Sequence, residues 1–280
     1  IASKEAVMDP ATLIGIVAAF GALVAMLTIE GSQITAILIP APMVLVFGAT
    51  IAVGIAGGTI RDFLVAIKAL PGAFRGKTHN PEEVIDRVVS LAEKARSEGL
   101  LSLEQEADDS DDTFLRSALQ NIADGTDGED LRILLEDEIE TEARLGRTAA
   151  KFFNSMGGYS PTIGIIGTVV ALTHVLENLS SPATLGPMIA SAFVATLWGL
   201  LAANFLWLPI GGRIKRLSEL EIERKTLLME GVLAVQAGSQ PRLLGERLRA
   251  MIPSGKPASA DKPGKSPKAG KADKNDAAAA

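Results

Sequence analysis

The sequence predicts an all-α fold, namely a polytopic membrane protein with four transmembrane helices and a helical cytoplasmic domain. Two observations carry this prediction. Four apolar stretches contain no Asp, Glu, Lys or Arg and reach about 20 residues, the length that crosses the hydrocarbon core of a bilayer. The segments between and after them are charged and carry apolar residues at helical spacing. Hydrophobic residues make up 48% of the 280 residues and charged residues 21%, as expected for apolar blocks alternating with polar ones.

The four predicted spans form two pairs, each joined by a short connector. The spans cover 11–29, 34–60, 155–176 and 185–210. Pro40 and Pro42 interrupt the second span near its start, because proline lacks the N–H that a helix interior requires. Buried helices of a soluble protein are the alternative, but four such runs in one short chain favour membrane insertion.

Lysine and arginine predict the orientation. Lys4, 12 residues within 61–151 and 14 within 213–274 account for all 27. The connectors 30–33 and 177–187 contain none. Since Lys and Arg accumulate on the cytoplasmic side, both termini and the middle segment are expected in the cytoplasm.

Helix-start signals organise the middle segment. Asn80 can cap a helix, Pro81 suits its first position, and Gly99 marks its end. Further helices are predicted at 113–123 and 129–145. The acidic run 107–112 is interpreted as a solvated helix start, since it lacks the spacing of a calcium loop.

The last part of the chain divides in two. Residues 211–238 alternate charged and apolar positions at helical spacing, which predicts a helix that leaves the membrane and packs on the middle domain. Pro, Gly, Ser, Ala and Lys dominate the end of the chain, a composition typical of disorder. The predicted division is 1–10 cytoplasmic, 11–60 first membrane pair, 61–154 cytoplasmic helical domain, 155–210 second membrane pair, 211–252 cytoplasmic helical segment and 253–280 disordered tail.

The sequence lacks the residues that common catalytic and metal-binding sites require. The chain has no cysteine and only two histidines, His79 and His174. No nucleophile–base pair, phosphate-binding glycine loop or metal-ligand cluster stands out. We therefore expect no enzymatic activity, no cofactor, no resident metal and no nucleic-acid partner.

Small residues line one face of each span in the second pair. Pro161, Gly164, Thr168 and Ala171 are spaced 3, 4 and 3 residues apart. In the fourth span the small residues are Ala192, Ala195, Thr196, Gly199 and Ala203. Such faces allow close helix packing, with each threonine bonded to its own helix backbone. Alternatively they line a narrow ion passage, and the carboxylate that ions normally need must then come from a partner chain.

Five stretches together resemble the MotA/PomA family of flagellar stator subunits. They are MDPATLIGIVAAFGALV (8–24), IPAPMVLVFGATIA (39–52), ARSEGLLSLE (95–104), YSPTIGIIGTVVAL (159–172) and SAFVATLWGLLAANFLWLPIGGRIKRLS (191–218). The resemblance extends in order from residue 8 to about 252, and no single stretch is specific alone. It implies a multi-pass protein of the bacterial inner membrane.

The resemblance also implies partners. Family members form a homo-oligomeric ring, thought to be a pentamer, in the lipid bilayer around a dimer of a single-span MotB/PomB-type subunit. The partner's helix carries the aspartate that binds the translocated ion. Ion flow then turns the ring and drives the rotor protein FliG. ExbB/TolQ-type energisers, usually described with three spans, and a non-conducting membrane scaffold are the alternatives.

Individual residues acquire roles from the same resemblance. Arg96 and Glu104 match the pair that faces the rotor. Pro161 and Pro209 match the prolines at the cytoplasmic ends of the third and fourth spans, where they either couple ion binding to movement or form a static kink.

The coupling ion follows from the same comparison. Thr168 and Thr196 match threonines associated with sodium-driven members, so we expect Na+ rather than H+ as the translocated ion. Sodium needs several oxygen ligands, whereas a proton needs only the carboxylate. Ala171 stands where many relatives have glycine, which narrows the small-residue face.

Overall fold

A computed structural model of the chain describes residues 7–8 and 10–252. The predictions for the extreme amino terminus and for a disordered tail at 253–280 fall largely or wholly outside these residues. The α-helices are α1 Ala11–Ile29, α2 Pro40–Ala56, α3 Ile60–Arg75, α4 Pro81–Glu98, α5 Leu103–Asp108, α6 Thr113–Ala123, α7 Gly128–Glu177, α8 Pro182–Leu201, α9 Leu208–Gln236 and α10 Pro241–Met251. The all-helical prediction is confirmed, apart from a two-residue antiparallel pairing of Val7–Met8 with Lys77–Thr78.

Three helical runs among the described residues are long and apolar enough to cross a membrane. They are Ala11–Ile29, Gly128–Glu177 and Pro182–Gln236. α2 is apolar but has only 17 residues, about 26 Å of helix, which is shorter than a hydrocarbon core of about 30 Å. The lengths thus indicate three spans and a fourth, shorter apolar helix.

The second apolar stretch is less regular than predicted. A 3-10 turn occupies Ile34–Ala36, and α2 begins only at Pro40, where a missing N–H costs nothing. Gly57 and Gly58 follow its end. Thr59 then starts α3 in a capping box, because its hydroxyl accepts from the Asp62 N–H while the Asp62 carboxylate accepts from the Thr59 N–H.

The second half of the chain consists of two very long helical runs. α7 has 50 residues, so the predicted separation of helix 129–145 from the span at 155 is wrong. Gly157, Gly158 and Pro161 do not end it. α8 continues through a π-helix at Ala202–Trp207 into α9. Each run carries an apolar part and a charged part on one continuous helical segment.

The charged parts assemble into a bundle of α4, α5, α6 and α10 with the ends of α7 and α9. We call it the charged bundle. Its core buries Ile85, Leu91, Phe114, Leu131 and Val232 among others. Asn80 caps α4 through its side chain, and Gly99 ends it with φ +87°, both as predicted. α9 packs on this core, as predicted for 211–238, while the exit of this helix from the membrane stays a prediction.

Candidate functional site

Small residues bring α7 and α8 into backbone contact. A Cβ built on Gly164 lies 2.9 Å from the Ala195 carbonyl oxygen, and one built on Gly199 lies 2.8 Å from the Ser160 carbonyl oxygen. Both distances are too short for a real side chain, so these two positions require glycine. The predicted small faces are therefore confirmed as the surfaces on which α7 and α8 pack.

The close approach places Thr168 of α7 against Thr196 of α8. Their hydroxyl oxygens lie 2.5 Å apart. Thr168 Oγ1 also lies 3.0 Å from the Ala192 carbonyl oxygen and 3.2 Å from the Gly164 carbonyl oxygen. The Gly164 contact is the i−4 backbone bond expected for a packing threonine. The contacts to α8 join the two helices.

The two hydroxyls and the two carbonyl oxygens form an oxygen group that contains more acceptor oxygens than hydroxyl protons. Each hydroxyl has one proton to donate, so Thr168 cannot donate to Thr196, Ala192 and Gly164 at once. Both threonines are half-buried, so the group is not sealed inside the chain. Oxygen-rich, carboxylate-free surroundings can supply neutral ligands to a hard cation, whose charge another group must balance.

A cavity of about 740 Å³ opens beside this group, toward the α7–α8 connector. Gly167 and Ala195 line its inner end and Leu45 of α2 lines one wall. His174 and Glu177 line its outer end, with His174 Nδ1 lying 3.5 Å from a Glu177 carboxylate oxygen. The end of the spans that is predicted to face outward thus has a cavity whose lining includes a carboxylate.

The two candidate coupling prolines lie near one contact between α7 and α9. Pro161 sits inside α7, and Pro209 sits in the first turn of α9, directly after the π-helix. A Cβ on Gly157 lies 2.5 Å from Leu208, so the residue before Pro209 packs into the turn before Pro161. Two prolines and a π-helix leave irregular backbone bonding where the apolar and charged parts meet.

Two buried hydroxyls were missed by the sequence reasoning. Thr50 of α2 and Ser160 of α7 are fully buried, and among the described residues their hydroxyls have no hydrogen-bond partner. Their polarity within apolar stretches was a visible signal, but burial depends on helix packing. Trp198 was also missed. Its indole N–H donates to the Ile37 carbonyl at 2.6 Å and ties α8 to the segment before α2.

Arg96 and Glu104 lie on the charged bundle, in a different part of the chain from the threonines. Arg96 is in the last turn of α4 and Glu104 in the first turn of α5. Both are exposed, and no ion pair joins either of them to another described residue. The neighbouring Glu106, in contrast, binds Arg87 at 2.8 Å and Lys94 at 2.7 Å, which fixes α5 on α4. The two predicted interface charges therefore lie on helices that these ion pairs join.

A half-buried ionic cluster joins α6, α7 and α9. Asp112 caps α6 by accepting from the Phe114 and Leu115 N–H groups, and its carboxylate also binds Arg224. Burial acts to raise the pKa of Asp112, but the hydrogen bond and charge of Arg224 outweigh it and hold the pKa below its ordinary value.

Lys225 forms the other half of this cluster. Its ammonium lies 2.5 Å from Glu142 and 3.1 Å from Glu138 on α7, and 4.8 Å from the centre of the Phe114 ring. Burial lowers the pKa of Lys225, and the two carboxylates overcome that effect and raise it. The acidic run at 107–112 thus contributes a cap and an ion pair, in accord with its prediction as a helix start.

Family comparisons cover both halves of the chain. Residues 13–99 match the family described as "Motility protein A N-terminal". Residues 106–226 match the "MotA/TolQ/ExbB proton channel family". The two matches leave only residues 100–105 between them.

Individual relatives are similar over nearly their whole length. "Motility protein A" of Bacillus subtilis is 33% identical over 252 residues, covering 88% of this chain and 92% of the relative. "Chemotaxis protein PomA" of Vibrio alginolyticus is 32% identical over 251 residues, covering 90% and 98%. The solved structure "Structure of the flagellar MotAB stator complex from Bacillus subtilis" is similar with a TM-score of 0.80 at 31% identity, covering 87% of this chain and 96% of that one.

Proposed function

This chain belongs to the MotA/PomA family, and on that premise we propose that it is a flagellar motor stator subunit of a bacterial inner membrane. Copies of this chain would form a ring around a MotB/PomB-type single-span partner. Ion flow between ring and partner then generates torque on the rotor protein FliG. The solved MotAB complex, to which this chain is similar along most of its length, supports both a partner and an assembly.

The observation that carries the proposal is the oxygen group at Thr168 and Thr196. It lies between apolar helices, next to a cavity open toward one side, and the apolar parts of α1, α2, α7 and α8 contain no Asp or Glu. Glu177 supplies a carboxylate only at the outer end of the cavity, so an ion that crosses between the apolar helices still needs a negative charge beside the threonines. A partner helix with an aspartate would complete the site.

Sodium is the ion that this group suits. The Thr196 hydroxyl oxygen and the carbonyl oxygens of Ala192 and Gly164 lie within 3.2 Å of Thr168 Oγ1. Na+ is coordinated by several such oxygens, whereas a proton needs no neutral ligands. The proposal therefore assigns Thr168 and Thr196 to sodium coordination, with H+ as the alternative ion.

The charged bundle takes the rotor-facing role in this proposal. Arg96 and Glu104 are exposed and form no ion pair with another described residue, so they remain available to a charged partner surface. Exposed charges steer and register an interface more than they tighten it. The prolines Pro161 and Pro209 lie between this surface and the threonines, where they can couple the two.

Ion flux with and without the partner tests the proposed function. Vesicles would contain this chain alone, the chain with its cognate partner, or the chain with a partner whose aspartate is replaced by asparagine. We expect sodium uptake only with the intact partner. Equal uptake by the chain alone would contradict the completed site, and an absence of uptake from all three would favour the non-conducting scaffold.

A further inference from the structure

A cavity of about 470 Å³ lies between α1 and the junction of the π-helix with α9. On the α1 side it is lined by Ala11, Gly15 and Ala19, which are four residues apart and share one face. A Cβ built on Gly15 meets nothing within 4 Å. No side chain of the described residues therefore fills the space beside Gly15.

The lining changes from mostly apolar to cationic from the π-helix along α9. Phe205 and Pro209 line the part of the cavity that lies between apolar helix segments, together with Asn204, whose amide donates to the Leu200 carbonyl. Arg213 and Arg216 follow after one and two further turns and line its end. The distance along the helix from Phe205 to Arg216 is about 16 Å, so apolar and cationic ends are well separated.

We propose that this cavity binds one anionic phospholipid of the lysine- and arginine-rich, cytoplasmic side of the membrane. An acyl chain lies along Gly15, Ala19 and Phe205, and the phosphate is held by Arg213 and Arg216. Guanidinium groups match phosphate oxygens in geometry as well as charge. Basic pockets between membrane helices on the cytoplasmic side are a recognised setting for such headgroups.

The ion pairs of Arg216, at the cavity end, leave this side chain able to bind an anion. Arg216 lies 3.6 Å from Glu219 and 3.7 Å from Glu223, both longer than a good hydrogen bond. Its side chain is 56% exposed, so these pairs are weak and their donors can turn to phosphate. Lys215, in the same turn, lies 3.9 Å from Glu219 and adds a positive charge close to that of Arg216.

The surface beside the cavity suits hydrocarbon. Leu13, Ile14 and Val17 of α1 are 52%, 61% and 62% exposed in this chain. The cavity therefore adjoins an apolar surface at the level of the spans and a cationic surface at their end. A phospholipid has the same arrangement, with hydrocarbon chains next to a charged headgroup. The proposed binding does not depend on the coupling ion or on the B-type partner.

Lipid retention measures this binding directly. The full stator complex would be incubated with equal amounts of phosphatidylglycerol and phosphatidylcholine in detergent, washed, and its bound lipids counted by native mass spectrometry. We expect at least about fivefold more phosphatidylglycerol per chain, because only this lipid is anionic. Equal retention of both lipids in the unaltered complex would overturn the proposal without the need for any variant.

Two variants address the two ends of the cavity separately. Arg216→Gln removes a headgroup contact, and Gly15→Leu fills the acyl part without touching a charge. Each is expected to reduce bound phosphatidylglycerol to the phosphatidylcholine level. Arg242→Gln, which removes an exposed charge of α10, is the control and should retain it. Unchanged retention in Gly15→Leu would contradict an acyl-filled cavity, and release by millimolar inorganic phosphate would indicate a simple anion site.

A neighbouring copy of the chain is the competing occupant. Because the sequence has no cysteine, Ala19→Cys introduces a single thiol in the cavity lining. We expect little disulfide-linked dimer after oxidation of membranes that contain this variant. Rapid, near-complete dimer formation would show that a second α1 fills the cavity, and would overturn the lipid assignment.

Discussion

Gly164 and Gly199 face each other across the α7–α8 contact so closely that neither has room for a Cβ. The Cβ of an alanine at 164 would lie 2.9 Å from the Ala195 carbonyl oxygen and 3.1 Å from the Gly199 Cα. Backbone atoms of two long helices cannot move aside cheaply. This contact sets the register that brings Thr168 to Thr196.

The first prediction follows from this contact. Gly164→Ala should separate α7 from α8, destabilise the membrane part by about 1–3 kcal/mol and reduce motility. Gly186→Ala is the matched control, because a Cβ there meets nothing within 4 Å. Thermal stability of the purified complex and swimming speed measure the two effects. Equal behaviour of the two alanine variants would mean that the close approach is not required.

Reversal of the exposed charges on the charged bundle tests the rotor-facing role. Arg96→Glu or Glu104→Lys should reduce swimming, while the amount of complex in the membrane stays unchanged, because both side chains are exposed. A surface charge pair is worth about 1 kcal/mol or less, so a partial loss is expected from each single change. Arg242→Glu on α10 provides a control reversal at another exposed position. Normal swimming of the doubly reversed chain would argue against the role.

The junction between apolar and charged parts gives the third prediction. Pro161→Ala and Pro209→Ala each restore a backbone N–H and should stiffen the helix at that point. We expect slower rotation under fixed load, measured with tethered cells, and normal membrane insertion. Leu208 already packs into the Gly157 turn, so stiffening here acts where the two long helices touch. If motor speed were unaltered in both variants, the prolines would only form static kinks and would not couple ion binding to movement.

The ionic cluster at Asp112 makes the charged bundle sensitive to acid. Its folded pKa is below the ordinary value of 3.8, so the stabilisation is complete above that value and is lost as the pH falls through the folded pKa. Asp112→Ala also removes the cap of α6 and should cost about 1–3 kcal/mol at neutral pH. Its unfolding free energy should then fall less steeply below pH 4. If the unfolding free energy of the variant fell as steeply below pH 4 as that of the unaltered chain, another group would be responsible for the acid sensitivity.

The features that depend on local chemistry could be predicted from the sequence. Asn80, Pro81 and Gly99 predicted the ends of α4 because capping and positive φ are set within a few residues. The small faces of α7 and α8 followed from helical spacing alone. The separate predictions of a helix at 129–145 and a span from 155 implied a break in α7, but the helix continues through the residues between them and through Pro161.

The remaining features depend on packing between distant segments. The burial of Thr50 and Ser160 and the bond from Trp198 to Ile37 exist only once α2, α7 and α8 are placed together. The 2.5 Å contact between Thr168 and Thr196 likewise depends on the register fixed by Gly164 and Gly199. α10 lies within the predicted helical segment 211–252, but its 11 residues were not predicted as a helix separate from the one at 211–238.

The central claim is that Thr168 supplies an oxygen to a sodium ion. Swimming speed, measured with the cognate partner as external sodium is replaced by potassium at constant pH, tests it most directly. We expect speed to saturate with sodium, and Thr168→Ala to raise the half-saturating concentration about tenfold, equivalent to about 1.4 kcal/mol. Thr28→Ala, which removes a hydroxyl bonded to its own helix in α1, should leave that concentration unchanged. Speed that ignores sodium in all three proteins would contradict the account and identify a proton motor in which Thr168 only packs.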